Sequence, residues 1–349
     1  VSINYLPLIA PVTREEVLRF KRESRMNGEP WAHSAIISTV LGGIVIAFIA
    51  IVGLGVFVST LPVTIAAITS GSAAGLPFAL FPLVFLAIGG VALYRFIAAA
   101  SGRWESLLRR SRFASANNLV YVPVARRPAY PGLIFTIGDG RETRDNYRST
   151  GEPRFDMGNY RYTTGSGKEK KTHDWGYLAL KLERRLPHMV LDARGNNGLF
   201  GASTLPTSFR SSQKLSLEGD FDKHFTLYCP QQYERDALYV FTPDLMALLI
   251  DESSAFDVEI VDDWMFVYSV QPFALDKPAP VNRLLRIIDT VGAKTLRQTD
   301  RYADERIGDR SVNLVAPQGQ RLKRGPTLAG LSVLVMFAWV AFSFARTWF

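Results

Sequence analysis

The run Gly165-Ser166-Gly167-Lys168 has the composition of a loop that cradles phosphate with backbone N–H groups and a lysine. Such a loop needs a glycine five residues before the Gly-Lys pair and a hydroxyl residue after it. Tyr162 and Glu169 stand there instead, so the run reads as a polar hairpin tip. The four histidines, His33, His173, His188 and His224, show no zinc-ligand spacing. His188 follows Leu186-Pro187 in an apolar run and His224 neighbours Asp222, so both read as structural. The lone Cys229 excludes an intrachain disulfide framework and has no basic pair beside it to make a nucleophile. Asp220, Asp222, Glu234 and Asp236 could pair for acid–base work, but a solvated turn is the simpler reading. Ser211 and Lys214 match S-x-x-K without its companion motifs. The sequence therefore names no catalytic residue, no metal ligand and no cofactor.

The elements that would position such residues are mostly strand-like. Leu119–Val124, Leu133–Ile137, Asn159–Thr163, Trp175–Leu182, Leu186–Asp192, Phe225–Tyr228 and Leu238–Phe241 are short apolar or β-branched runs bounded by turn residues. Asn159–Thr163 and Trp175–Leu182 form a hairpin around the polar tip, and Glu183-Arg184-Arg185 reads as a turn. Arg141–Gly151 and Arg194–Ser212 read as loops. Thr242-Pro243 opens a helix carrying Leu245, Leu248 and Leu249. Phe256–Val261 and Trp264–Val270 are expected as a tight hairpin turning at Asp262-Asp263. In that register Ile260 is buried and Glu259 faces solvent, so lysine at 259 should be nearly silent. An amphipathic helix follows from Pro278 to about Tyr302. Strands joined by short turns, with helices late, predict an α+β domain on a largely antiparallel sheet.

Three apolar runs flank this domain: Ser34–Thr60, Pro77–Ala100 and Thr327–Ala345. Runs this long match the roughly 30 Å hydrocarbon core of a bilayer at about 1.5 Å per residue. The expected plan is a basic segment 1–33, a transmembrane hairpin 34–100, a cytoplasmic domain 101–326 and a third span with a short outer tail, 327–349. The start VSINYLPLIAP lacks the basic region and cleavage site of a secretory signal, so the first span is expected to be a retained anchor. Thr13 and Glu16 predict a capping box opening a helix to about Met26, ended by Asn27-Gly28. Arg14, Arg19, Lys21, Arg22 and Arg25 precede the first run, and no cation lies in Leu61–Leu76. Arg103, Arg109, Arg110 and Arg112 follow the second run, and Arg321, Lys323 and Arg324 precede the third. That asymmetry predicts a multi-pass plasma-membrane protein with the N-terminus in the cytoplasm and the C-terminus outside. The same residues form the expected membrane-surface basic set, suited to anionic lipid.

The segments FDKHFTLYC, YERDALYVFTPDLMALLI and FDVEIVDDWMFVYS resemble an uncharacterised bacterial membrane-protein family with an N-terminal transmembrane hairpin and a cytoplasmic domain of unknown function. The resemblance implies the domain plan and lends no catalytic residue. A net charge of +8 beside apolar runs points to headgroups rather than nucleic acid, because the cations do not interleave with stacking aromatics. The apolar runs hold no acidic residue to mark an ion path. Two function classes follow. One is a non-catalytic binding or scaffold domain at the inner leaflet, with a protein partner or a second copy. The other is a membrane-bound enzyme or transport accessory whose site forms only on folding.

Overall fold

The computed structural model describes residues 3–28, 30–70, 75–198, 203–217, 219–309 and 311–325. They form two compact units: Leu6–Phe113, and the residues before Leu6 together with those after Phe113. The first unit is helical, with α1 (Leu6–Ile9), α2 (Arg14–Met26), α3 (Pro30–Thr69) and most of α4 (Gly75–Ala116). The predicted capping box closes: Glu16 N–H donates to Thr13 Oγ1 at 3.3 Å, and Thr13 N–H donates to Glu16 Oε2 at 2.8 Å. Gly28 ends the turn after α2 at a φ of +67°, a conformation that glycine adopts without strain. Helix α3 runs through Pro62 to Thr69, past the end of the first apolar run and into the stretch expected to connect the two arms of the hairpin.

Within α3, Val40–Val63 is long and apolar enough to cross a membrane, and its side chains face outward. Phe48 and Ile51 are 66% and 69% exposed, which water would penalise and lipid would not. Among the described residues of α4 the apolar stretch is Ala87–Phe96. The helices run antiparallel, since Gly42 meets the Phe96 ring while Gly53 lines a cleft with Gly89 and Gly90. One candidate span is therefore shown among the described residues where the sequence suggested three. The run Thr327–Ala345 lies outside the described residues.

The second unit is α+β, built on a seven-stranded sheet whose strand pairs are all antiparallel. The strands are β1 (Leu119–Arg126), β2 (Asp139–Ser149), β3 (Phe155–Thr164), β4 (Lys171–Ala193), β5 (Lys214–Leu215), β6 (Phe225–Tyr228) and β7 (Asp257–Ser269). Their order is β1-β2-β3-β4-β6-β5, with β7 on the other edge of β4. The helices are α5 (Phe221–His224), α6 (Glu234–Val240), α7 (Pro243–Ser253), α8 (Pro278–Ile287), α9 (Ala293–Thr299) and α10 (Pro317–Gln320). A wide π turn, Ile288–Gly292, joins α8 to α9 and lets Gly292 approach Leu180.

Several elements differ from the sequence reading. Arg141–Gly151, predicted as loop, is mostly the polar strand β2, whose Thr143, Asn146 and Tyr147 are buried. Leu133–Thr136 is a single helical turn rather than a strand, plugging Ile134 and Phe135 into the core. Leu238–Phe241 is not a strand, because Leu238–Val240 closes helix α6.

The largest correction concerns β4 and β7. Glu183-Arg184-Arg185 and Asp262-Asp263 are not turns: each lies inside one continuous strand, and the two strands pair with each other. Lys181 faces Trp264 and Leu186 faces Asp262, so β4 spends more residues than β7 across the same gap. Pro187 has no N–H to give the ladder there, and Asp262 takes a φ of +53°, which aspartate tolerates. The result is a bulge, and it reverses side-chain parity. Val261 shares a core cluster with Phe266 and Tyr268, and Val190 shares it with Trp175, Tyr177 and Ala179. Both faces of this end of β7 are covered: Ile260 is buried as expected, and Glu259, on the same face as Val190 and Val261, is 1% exposed, contrary to the solvent-facing position expected for it.

Candidate functional site

In the helical unit, α2 packs one face on the end of α4. Phe20 meets Trp104 edge-on at 6.4 Å, Lys21 Nζ lies 5.5 Å from the Trp104 ring centre, and Arg112 pairs with Glu16 at 2.6 Å. The Thr13 N–H and the Arg112 guanidinium hold the Glu16 carboxyl down at about 2. Arg109 pairs with Glu105 at 2.6 Å, and Arg103 is exposed while Arg110 is half-buried. The outward side of α2 presents Arg14, Leu18, Arg22, Arg25 and Met26, spaced three and four apart, with Arg19 also exposed. Cations beside exposed leucine and methionine suit the boundary between headgroups and acyl chains. A peptide spanning Pro11–Gly28 is expected to bind vesicles containing anionic lipid, with affinity falling steeply as salt rises. Equal binding to neutral vesicles would refute the electrostatic assignment.

The remaining predicted cations fall in the sheet unit. Arg321 grips Asp262 with two bonds, 2.8 and 3.0 Å, which lowers the Asp262 carboxyl. Lys323 and Arg324 are exposed.

The sheet unit also holds buried carboxylates that the sequence reading missed. Glu259 accepts from His188 Nε2 (2.8 Å), the Tyr268 hydroxyl (2.6 Å) and Leu133 N–H (2.8 Å). Leu322 N–H donates to His188 Nδ1 at 3.0 Å, so that nitrogen carries the lone pair and Nε2 carries the proton. His188 is thus a neutral connector with both nitrogens committed. Burial, then the Glu259 charge, pushes Tyr268 well above its ordinary range.

Asp257, fully buried, accepts from Ala193 N–H at 2.8 Å and from the Thr204 hydroxyl at 3.4 Å. Burial pushes its carboxyl up to about 7, and the Asp192 charge adds to that. Asp156 accepts from Tyr177 (2.9 Å), Tyr130 (2.6 Å) and Arg148 (2.8 Å). Asp304 accepts from Tyr233 (2.6 Å), Ala316 N–H (2.9 Å) and Arg306. The clue in the sequence was local: Asp257 and Glu259 alternate with apolar residues in a strand that proves buried on both faces.

The other residues weighed for chemistry are also placed. Gly167–Glu169 is the exposed turn between β3 and β4, as the hairpin-tip reading expected. Cys229 is buried, and burial pushes its thiol up to about 12. His173 stacks on Tyr162 at 4.7 Å. Asp222 accepts from Ser216 and from Leu217 N–H. Asp236 lines a polar cleft of about 530 Å³ with Arg235, Tyr239, Arg301, Tyr302 and Arg306. Its floor is fixed by Tyr302 donating to Asp236 (2.7 Å) and by Arg306 bridging Asp236 and Asp304 (3.1 Å each). Among the described residues no group of three or more His, Cys, Asp or Glu side chains could hold a metal ion.

No protein-family model matches the chain, and no curated protein matches it in sequence. Among solved structures, the mycobacterial trehalose monomycolate transport factor A, TtfA, is similar at 14% identity and a TM-score of 0.34. The match covers 55% of this chain and 90% of that one. A likeness at this level is distant and assigns no function.

Proposed function

We propose that this chain is an integral protein of the plasma membrane that presents its sheet domain at the inner leaflet as a binding or scaffold module. The observation that carries the reading is Val40–Val63, an apolar helix whose side chains face outward in the structure. The basic face of α2 precedes it, as the positive-inside rule requires of a cytoplasmic N-terminus. Two of the groups in the sheet domain that could do chemistry are held in structural roles: both His188 nitrogens are bonded, and Cys229 is a buried thiol. The second reading, an enzyme or transport accessory, draws on the cleft lined by Arg235, Tyr239 and Arg301.

In the three-span arrangement, the α3–α4 connection and the tail after Ala345 lie outside, and the sheet domain lies inside. Single cysteines at Ser72, Thr347 and Lys223 test this, Lys223 being 73% exposed. An impermeant thiol reagent on intact cells is expected to label Ser72→Cys and Thr347→Cys, and to reach Lys223→Cys only after permeabilisation. The native Cys229 stays silent on either side, because it is buried. Labelling in the opposite sense overturns the orientation, and an unlabelled Thr347→Cys beside a labelled Ser72→Cys removes the third crossing. Release of the protein by alkaline carbonate overturns the anchor itself.

A further inference from the structure

The segment Arg321–Gly325 is fastened to the sheet domain along its length. Leu322 N–H donates to His188 Nδ1 (3.0 Å), and Lys323 N–H donates to Gln213 Oε1 (2.8 Å). The Lys323 carbonyl accepts from Gln213 Nε2 (2.7 Å) and from Arg210 N–H (3.3 Å). Gly325 N–H donates to the Ser208 carbonyl (2.8 Å), and Arg210 Nε reaches the Arg324 carbonyl (3.4 Å). Leu322 is buried beneath this strap.

These bonds bring together cations from segments more than a hundred residues apart. Arg210 and Lys214 come from one, and Arg321, Lys323 and Arg324 from the other; all five are exposed. Asp262 neutralises Arg321. The other four form no ion pair among the described residues. Grouping like charges is unfavourable in the isolated molecule and favourable against a surface of opposite charge. Strap and apolar run are also continuous in the chain. Only Pro326 separates Gly325 from Thr327, where that run begins.

We infer that the face formed by Arg210, Lys214, Lys323 and Arg324 docks on anionic lipid headgroups and so sets which side of the sheet domain meets the membrane. The inference rests on the membrane anchoring proposed above. Because the only large apolar side chain of the strap is buried, the contact is electrostatic and is weakened by salt.

The test uses the full chain reconstituted in phosphatidylcholine vesicles, with or without phosphatidylglycerol, that carry a headgroup-nitroxide lipid. One fluorophore is placed at Ser212→Cys, beside the patch, and another at Ser166→Cys, at the exposed β3–β4 tip. The Ser212 fluorophore is expected to be quenched more strongly in anionic vesicles, and salt should remove the excess. The double variant Arg210→Glu, Lys214→Glu should lose the excess while resisting alkaline carbonate as the parent does. The Ser166 fluorophore should respond equally to both lipids. Equal quenching at Ser212 in neutral and anionic vesicles overturns the inference, and so does an excess that survives the double reversal or high salt. Should the double variant not fold, the salt dependence of the parent decides alone. Release of the parent by carbonate would instead sink the anchoring, a separate outcome.

Discussion

Replacing Glu259 with lysine is expected to lower the melting temperature of the sheet domain sharply, whereas Glu183→Lys should leave it unchanged. Both residues are acidic and lie on the paired strands β4 and β7, but Glu259 is 1% exposed and Glu183 is exposed. Lysine at 259 would face three donors, from His188, Tyr268 and Leu133, and would bury a cation without an acceptor. Breaking a buried charged network in this way costs about 3–5 kcal/mol, against a typical domain stability of about 5–15 kcal/mol. Because His188 also holds Leu322 N–H, the loss would spread to the strap. Thermal unfolding of the full chain in detergent, followed by near-ultraviolet circular dichroism, reads the difference. If lysine is tolerated at 259 as well as at 183, the inward orientation after the bulge is wrong.

The second large effect depends on pH. The Asp257 carboxyl stands at about 7 in the folded chain against an ordinary 3.8. Its folded-state value is raised, so the folded state holds the proton more tightly than the unfolded state does. The stabilisation is complete below about 4 and is lost as pH rises to about 7, a change of order 4 kcal/mol across that window. Asp257→Asn keeps an acceptor for Ala193 N–H and cannot ionise. Relative to the parent it should gain stability between pH 5 and pH 8, with the gain flattening above about 7. Parallel stability–pH curves for parent and variant would show that Asp257 is ionised throughout and that burial does not govern it.

Local signals in the sequence were sufficient where one short segment decides the structure. The Thr13–Glu16 box and Asn27-Gly28 mark both ends of α2, and Thr242-Pro243 marks the start of α7. The polar tip between β3 and β4 was equally plain. Polar punctuation inside β4 and β7 was ambiguous, because a turn and a bulge call for the same residues and only the partner strand separates them. Strand β2 looked like a loop because its arginines find carboxylates only after folding: Arg144 pairs with Glu142, and Arg148 with Asp156. The basic face of α2 was legible for the same local reason that its helix was. The meeting of Arg210 and Lys214 with Lys323 and Arg324 was not, since it depends on hydrogen bonds between segments distant in the chain.

The bulge shared by β4 and β7 behaves like a compensated frameshift. Each strand is read in one phase before it and in the opposite phase after it, and the core is continuous only because both strands change phase at the same level. Deleting one residue from either strand near the bulge would leave that strand read in a single phase against a partner that still switches. Every side chain of that strand beyond the deletion would then face the wrong way, Phe266 and Tyr268 among them when the deletion is in β7. Length changes in this pair of strands are therefore constrained to occur together, and the tip between β3 and β4 is free of that constraint.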